Sequence, residues 1–231
     1  MAVNSDPHAP GNALSSAVHE IKNPLESLLS LLYLMEGDPG LSPTTRGYLK
    51  TAQGEVGRIA QIAHSAMQQF RNREVLVGTD VSDLLASVLK FYEPKLRTGH
   101  ISVSTRSCAD AKINIFPNLM REVLSNLILN AIAAMPNGGT VWTRVTFARE
   151  PTGECRSGMR ITIADNGIGI SPEDLSRVRE PFFTTKGADG SGMGLAVVQE
   201  IISRHSGTLK IHSSVVPGHT GSVFSIFIPK T

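Results

Sequence analysis

Leu124-Ser125-Asn126-Leu127-Ile128-Leu129-Asn130-Ala131 decides the fold of the greater part of this chain. With Val123 and Ile132 its apolar residues bury one side of a helix. Pro117 opens that helix, and Pro136-Asn137-Gly138-Gly139 stops it after Met135. Asn126 and Asn130 are four apart and share a face. Asparagine is a poor helix former because its amide competes for backbone groups, so two of them in an apolar helix depart from a plain core pattern. Outward from this helix, helices and strands mix. Val81–Leu96 reads as an amphipathic helix, while Ile101–Arg106 and Ala111–Phe116 read as strands. Thr140–Phe147 and Met159–Ala164 are strands separated by a loop with glycine and proline. Gly192–Ser206 reads as a helix with a glycine-rich start, and Leu209–Ser213 and Ser222–Ile228 as closing strands. Strands do not alternate regularly with helices, so the expected class is α+β, a two-layer sandwich and not a doubly wound sheet.

The amino-terminal third has another period. Residues 1–10, with Pro7 and Pro10, read as a loose tail. A first helix is expected from about Asn12 to Glu36, with Leu14, Val18, Ile21, Leu25, Leu28, Leu32 and Met35 alternating steps of four and three. That is a heptad seam. Gly37-Asp38-Pro39-Gly40 breaks it. Ser42 is placed to cap a second helix, with Pro43 in its first turn. Its seam is Leu49, Ala52, Val56, Ile59, Ala63, Ala66 and Phe70. Gly47, Gly54 and Gly57 each cost it about 1 kcal/mol relative to alanine. Two seamed helices make an antiparallel hairpin, and one hairpin lacks the apolar surface for a core. Two hairpins make a four-helix bundle, so residues 11–72 are expected to form a homodimer. A polar hinge, 73–79, leads to the second domain, 80–231.

Composition excludes several classes. The chain is 41% hydrophobic and 18% charged, ordinary for a soluble globular protein. A net charge of +2 makes no overall electrostatic case for nucleic acid or an anionic membrane. Cys108 and Cys155 have no metal-ligand spacing and read as reduced thiols of a cytoplasmic protein. No apolar run approaches the ~20 residues of a membrane span, and no signal peptide is evident.

Three stretches carry reactive groups. In Ser16-Ala17-Val18-His19-Glu20-Ile21-Lys22-Asn23-Pro24-Leu25, His19 flanks the seam and can face solvent. Asn23 is one turn on, on the same side, and Pro24 bends the helix just past the histidine. The plain reading of His19 is an exposed histidine with no task. Asp165-Asn166-Gly167-Ile168-Gly169 follows a strand, and its glycines permit a tight turn and close approach of a flat ligand. A carboxylate there can accept from the amino group of adenine, where guanine would present a repelling carbonyl. Otherwise it is an ordinary Asp-Asn-Gly turn. Glu180-Pro181-Phe182-Phe183-Thr184-Thr185-Lys186 runs into Gly187-Ala188-Asp189-Gly190-Ser191-Gly192-Met193-Gly194-Leu195, which opens a helix. Helix-terminal amides and a lysine suit polyphosphate, and the glycines suit a mobile lid. No Walker loop is present.

Taken in order, these stretches resemble the histidine kinase family over nearly the whole chain. His19–Leu25 resembles the phosphoacceptor box, Leu124–Ala131 the asparagine box, and Asp165–Gly169, Pro181–Lys186 and Gly190–Leu195 the remaining nucleotide boxes. The wording of Asn130–Pro136 and Glu180–Lys186 is most similar to the nitrogen-regulation branch. Ala133 departs from the family, many members of which carry there a lysine that reaches a phosphate; this shifts weight to Lys186. The resemblance implies a dimerising hairpin followed by an ATP-binding sandwich shared with gyrase and Hsp90. It implies ATP held by Asn126, Asn130, Asp165, Gly167, Gly169, Thr185, Lys186, Gly190, Gly192, Met193, Gly194 and Leu195, with Mg²⁺ on Asn130. It implies phosphoryl transfer to His19 assisted by Glu20, and onward transfer to an aspartate of a response-regulator receiver domain. Asn23 matches the position that serves dephosphorylation of that regulator. An ATPase of the same fold would place a glutamate where Asn126 stands, and a nucleotide-binding scaffold would need none of the reacting groups. His8, His64, His100, His205, His212 and His219 lie outside any comparable constellation and read as structural or solvated.

Overall fold

The computed structural model describes residues 28, 32, 35, 40–49, 51–52, 54–56, 59, 75–108, 110–150, 156–180, 183–184 and 192–230. The expectations for His19, Glu20, Asn23, Thr185, Lys186 and Gly190 fall outside them.

Val75–Phe183 and Gly192–Thr231 form one compact unit. Its elements are β1 (Val77–Asp80), α1 (Val81–Thr98), β2 (Ile101–Ser107), β3 (Lys112–Ile115), α2 (Pro117–Ala134), β4 (Gly139–Glu150), β5 (Arg156–Asp165), α3 (Pro172–Leu175), α4 (Gly194–Arg204), β6 (Thr208–Ser214) and β7 (Gly221–Pro229). Five strands make a mixed sheet in the order β2-β4-β5-β7-β6. Only the β2–β4 pairing in it is parallel. α2 lies centrally, packed against α1, α4 and the sheet.

The sheet has a buried and an open face because its strands alternate. On β5, Met159, Ile161 and Ile163 are buried, while Arg160, Thr162 and Ala164 between them keep partial exposure. Val141 and Val145 of β4 and Phe224 and Ile226 of β7 join the buried side. There they meet Val123, Leu124, Leu127 and Ile128 of α2 and Val197, Val198, Ile201 and Ile202 of α4, in one continuous core. α1 begins where Asp80 accepts from the amides of Ser82, at 2.8 Å, and Asp83, at 3.3 Å. The α+β expectation holds for this unit. Two elements were not foreseen. β1 takes in Val77–Thr79 of the stretch read as a hinge and pairs antiparallel with β3. α3 is a single turn, capped by Ser171 accepting from the Asp174 amide at 3.1 Å. Both are too short to leave a periodic signal.

Of the amino-terminal helices, Leu28, Leu32 and Met35 are helical, as are Pro43–Leu49, residues 51–52 and 54–56, and Ile59. Ser42 caps the second as expected, its hydroxyl accepting from the Thr45 amide at 3.1 Å.

Candidate functional site

The site is assembled at the end of β5 beside the last turns of α2. Asp165 is the final residue of β5 and is only 6% exposed. In the strand register it is flanked by Val141 and Ser222. Its Oδ1 accepts from the Gly167 amide at 2.9 Å, which folds the chain sharply back. The Ile168 amide then donates to the Ala134 carbonyl at 2.9 Å, satisfying an orphan acceptor at the carboxyl end of α2. A side chain at residue 167 would collide with that same Ala134 carbonyl, so glycine is required for the approach. At Gly169 the backbone turns left-handed, φ +75°, and a Cβ would collide with the Ser214 carbonyl. Ile170 continues the docking, its amide donating to Ser213 Oγ at 2.8 Å. Ser213 Oγ in turn donates to the Gly221 carbonyl at 2.7 Å.

Asn126 and Asn130 are both half-buried on α2. Gly194 opens α4 directly against Asn126: a Cβ there would stand 3.3 Å from the Asn126 Oδ1. The first asparagine is thereby brought to the amino end of α4, where Gly192, Met193, Gly194 and Leu195 lie. Leu195 itself packs onto the core. The structure thus joins the turn after Asp165 to the carboxyl end of α2 through Gly167 and Ile168, sets Gly169 against Ser214 at the end of β6, and joins Asn126 to the start of α4.

Sequence reasoning missed two residues here. Asn166 sits inside the glycine-rich turn but is structural: its Oδ1 accepts from the Thr140 amide at 2.7 Å and ties the turn to β4. Ile168 is 65% exposed beside Asp165, an apolar side chain held outward by its own backbone bond to α2. The spacing of Asp165–Gly169 contained both, but only the docking onto Ala134 and Thr140 separates their roles. Ala133 is exposed in the last turn of α2.

A buried carboxylate at a strand end, a glycine turn locked to an asparagine-bearing helix, and a second helix opening against that helix lie together in one α+β sandwich. Residues 116–231, half of the chain, match the histidine kinase-, DNA gyrase B- and HSP90-like ATPase family, and the chain belongs to it. Sensor histidine kinase ZraS of Salmonella typhi is 32% identical over 96% of this chain and 46% of its own length. Sporulation kinase A of Bacillus subtilis is 32% identical over 95% of this chain and 34% of its own length. The chain therefore spans less than half the length of these relatives. The catalytic domain of histidine kinase ThkA superposes with a TM-score of 0.57 at 25% identity, covering 68% of this chain and 98% of that one. Full-length ShkA, solved in complex with AMPPNP, shares the fold with a TM-score of 0.58 at 21% identity, covering 95% of this chain and 46% of that one.

Proposed function

We propose that this chain is the core of an ATP-dependent protein histidine kinase that phosphorylates itself on His19. The observation that carries the reading is Asp165, buried and oriented by the Gly167 amide at the end of β5, beside the asparagine-bearing helix. A carboxylate so placed accepts from the adenine amino group, and the outward Ile168 offers an apolar surface beside it. Asn126, Asn130 and the start of α4 then serve the phosphates, together with Thr185, Lys186 and Gly190 of the glycine-rich stretch. Asn130 suits Mg²⁺: its amide oxygen is a hard neutral donor. Among the described residues no three His, Cys, Asp or Glu side chains gather to hold a metal by themselves, so the nucleotide's own oxygens would complete the shell. The ion would neutralise charge on the phosphates.

His19 suits the acceptor role because imidazole, with an unperturbed pKa of about 6.5, is mostly neutral at pH 7. A ring nitrogen takes the γ-phosphoryl group as its bond to the β-phosphate oxygen breaks, ADP leaves, and Glu20 takes the ring proton. The phosphoryl group then passes to an aspartate of a response-regulator receiver domain. Asn23, four residues past His19 in the sequence, would orient water for removal of that phosphoryl group. The wording around Asn130 and Glu180 supports a place near the nitrogen-regulation branch. Residues 11–72 would dimerise the kinase, with 73–79 as the hinge to an ATP-binding domain over 80–231. Leu28, Met35 and Ile59, all seam positions, are each about half exposed in the single chain, as unpaired seam residues would be. No helix among the described residues is long and apolar enough to cross a membrane.

One preparation tests the reading. With γ-labelled ATP, wild type should gain acid-labile label and His19→Gln none; label persisting in the variant would reject His19. Adding a panel of receiver domains should move the label to one of them. Asn23→Ala should keep substantial labelling yet lose most regulator dephosphorylation, and retained dephosphorylation would reject its role. Sedimentation of the full chain should give twice the 24.8 kDa chain mass; a monomer at micromolar concentration would reject the bundle.

A further inference from the structure

The open face of the sheet, turned away from α2 and α4, carries a charge pattern that the nucleotide site does not use. The strand registers place Ser104, Trp142, Ala164, Val223 and His212 in one row across all five strands. The next row is Arg106, Arg144, Thr162, Ser225 and Lys210. Arg160 lies one pair further along β5, opposite Thr146 and diagonal to Arg144. Arg106, Arg144 and Lys210 are exposed, and Trp142 and Val223 are 45% and 37% exposed.

The five strands contain only two carboxylates, Asp165 and Glu150, and both are buried. Glu150 is engaged by Thr208 at 2.7 Å and Arg156 at 3.5 Å. None of Arg106, Arg144, Arg160 and Lys210 has a carboxylate partner among the described residues. Arg106 stands directly opposite Arg144, an arrangement of like charges that costs stability in the isolated chain. The chain as a whole is nearly neutral, at +2, so this face concentrates positive charge that is balanced elsewhere.

We propose that this face docks an acidic segment of a partner protein, with Trp142 and Val223 receiving an apolar side chain and Arg106, Arg144, Arg160 and Lys210 meeting carboxylates. An aromatic anchor ringed by arginines is the composition of a protein interface. Nucleic acid is the poorer fit: Trp142 is the one exposed aromatic in these rows, enough to stack a single base, whereas single-strand platforms stack successive bases. Five strands at ~4.8 Å and four residues at ~3.4 Å give a patch of about 19 by about 14 Å, roughly 270 Å². That is well below the ~800 Å² per partner of a standard interface, so the docking is weak and salt-sensitive.

Trp142 is the chain's only tryptophan, so its fluorescence reports this surface directly. The full chain, held at saturating ATP, is titrated with a glutamate-rich peptide carrying one central leucine, with its lysine-rich counterpart, and with oligo(dT). The acidic peptide should shift Trp142 emission saturably, and rising NaCl should weaken the response. Arg106→Gln with Arg144→Gln should weaken it about tenfold, since each exposed charge pair contributes modestly. Arg144→Lys, which keeps the charge, should retain most of it and guards against a folding artefact. An absent response at millimolar peptide, or an equal response in the double variant, would overturn the proposal. Tighter binding of oligo(dT) than of the acidic peptide would overturn it in favour of a nucleic-acid surface.

Discussion

The two ends of α2 are held by different chemistry. At its amino end the Phe116 amide donates to Nε2 of His205 at 3.0 Å, across from the end of α4. At its carboxyl end the Ala134 carbonyl accepts from the Ile168 amide, and Gly167 lies against it. The first clamp is a side chain that can titrate. The second is backbone on backbone, turned by glycines and oriented by one carboxylate. A single helix thus joins an anchor made by a titratable ring to the end that carries Asn130, and the glycine-built end keeps its shape by sterics.

His205 is held neutral. Because Nε2 accepts, the ring hydrogen is on Nδ1, which donates to the Ile201 carbonyl at 2.8 Å. Burial pushes its pKa below the usual 6.5; the Ile201 hydrogen bond acts against this, and the neighbouring Arg204 charge adds to the lowering. Arg204 also stacks over the Phe116 ring at 4.5 Å, and that ring meets the His205 imidazole edge-on at 5.1 Å.

If the glycine-built end depends on sterics, Gly169→Val should have the largest effect. It adds left-handed strain to a collision with the Ser214 carbonyl, about 3 kcal/mol or more together. Chemical denaturation should show that loss and calorimetry should show nucleotide binding lost; a stable variant that binds normally would break the contrast. Asp165→Asn should be gentler and confined to the ligand. It exchanges an acceptor-only group for a mixed one and should cost roughly 1.5–3 kcal/mol of ATP affinity. Unchanged affinity by calorimetry would remove Asp165 from adenine recognition.

The smallest effect belongs to the other end. With the folded pKa of His205 depressed, the unfolded chain binds the proton more readily. The stability this neutral ring contributes is therefore complete above about pH 6.5 and is lost as pH falls through the folded value. The loss should be about 1 kcal/mol, the net worth of one hydrogen bond to the Phe116 amide. Denaturation midpoints across pH 5–8 check this: His205→Gln should flatten the slope over that window. An unaltered slope would show that other groups set the acid sensitivity.

Much of the carboxyl-terminal unit was legible as local pattern. The helix from Pro117 ends at Ala134, one residue from the expected stop. The strand expected over Met159–Ala164 is the core of β5. The helix expected over Gly192–Ser206 forms over Gly194–Arg204. Proline and glycine act within a turn, and apolar period repeats within one element, so both leave their mark in adjacent residues. The role of His205 leaves no local mark in the sequence, because its partner Phe116 is 89 residues away.

By itself the amino-acid sequence determined the kind and order of the longer elements, the shared face of Asn126 and Asn130, and the strand-end turn at Asp165, because each depends on neighbours a few residues away. Tertiary structure alone decided the strand order β2-β4-β5-β7-β6, the pairing of β1 with β3 and the docking of Gly167 on Ala134. It alone separated the structural Asn166 from Asp165. It also gathered Arg106, Arg144, Arg160 and Lys210 onto one face from four strands. Register between strands is set by long-range burial of the inner face, and no short window of sequence contains both partners of such a pair.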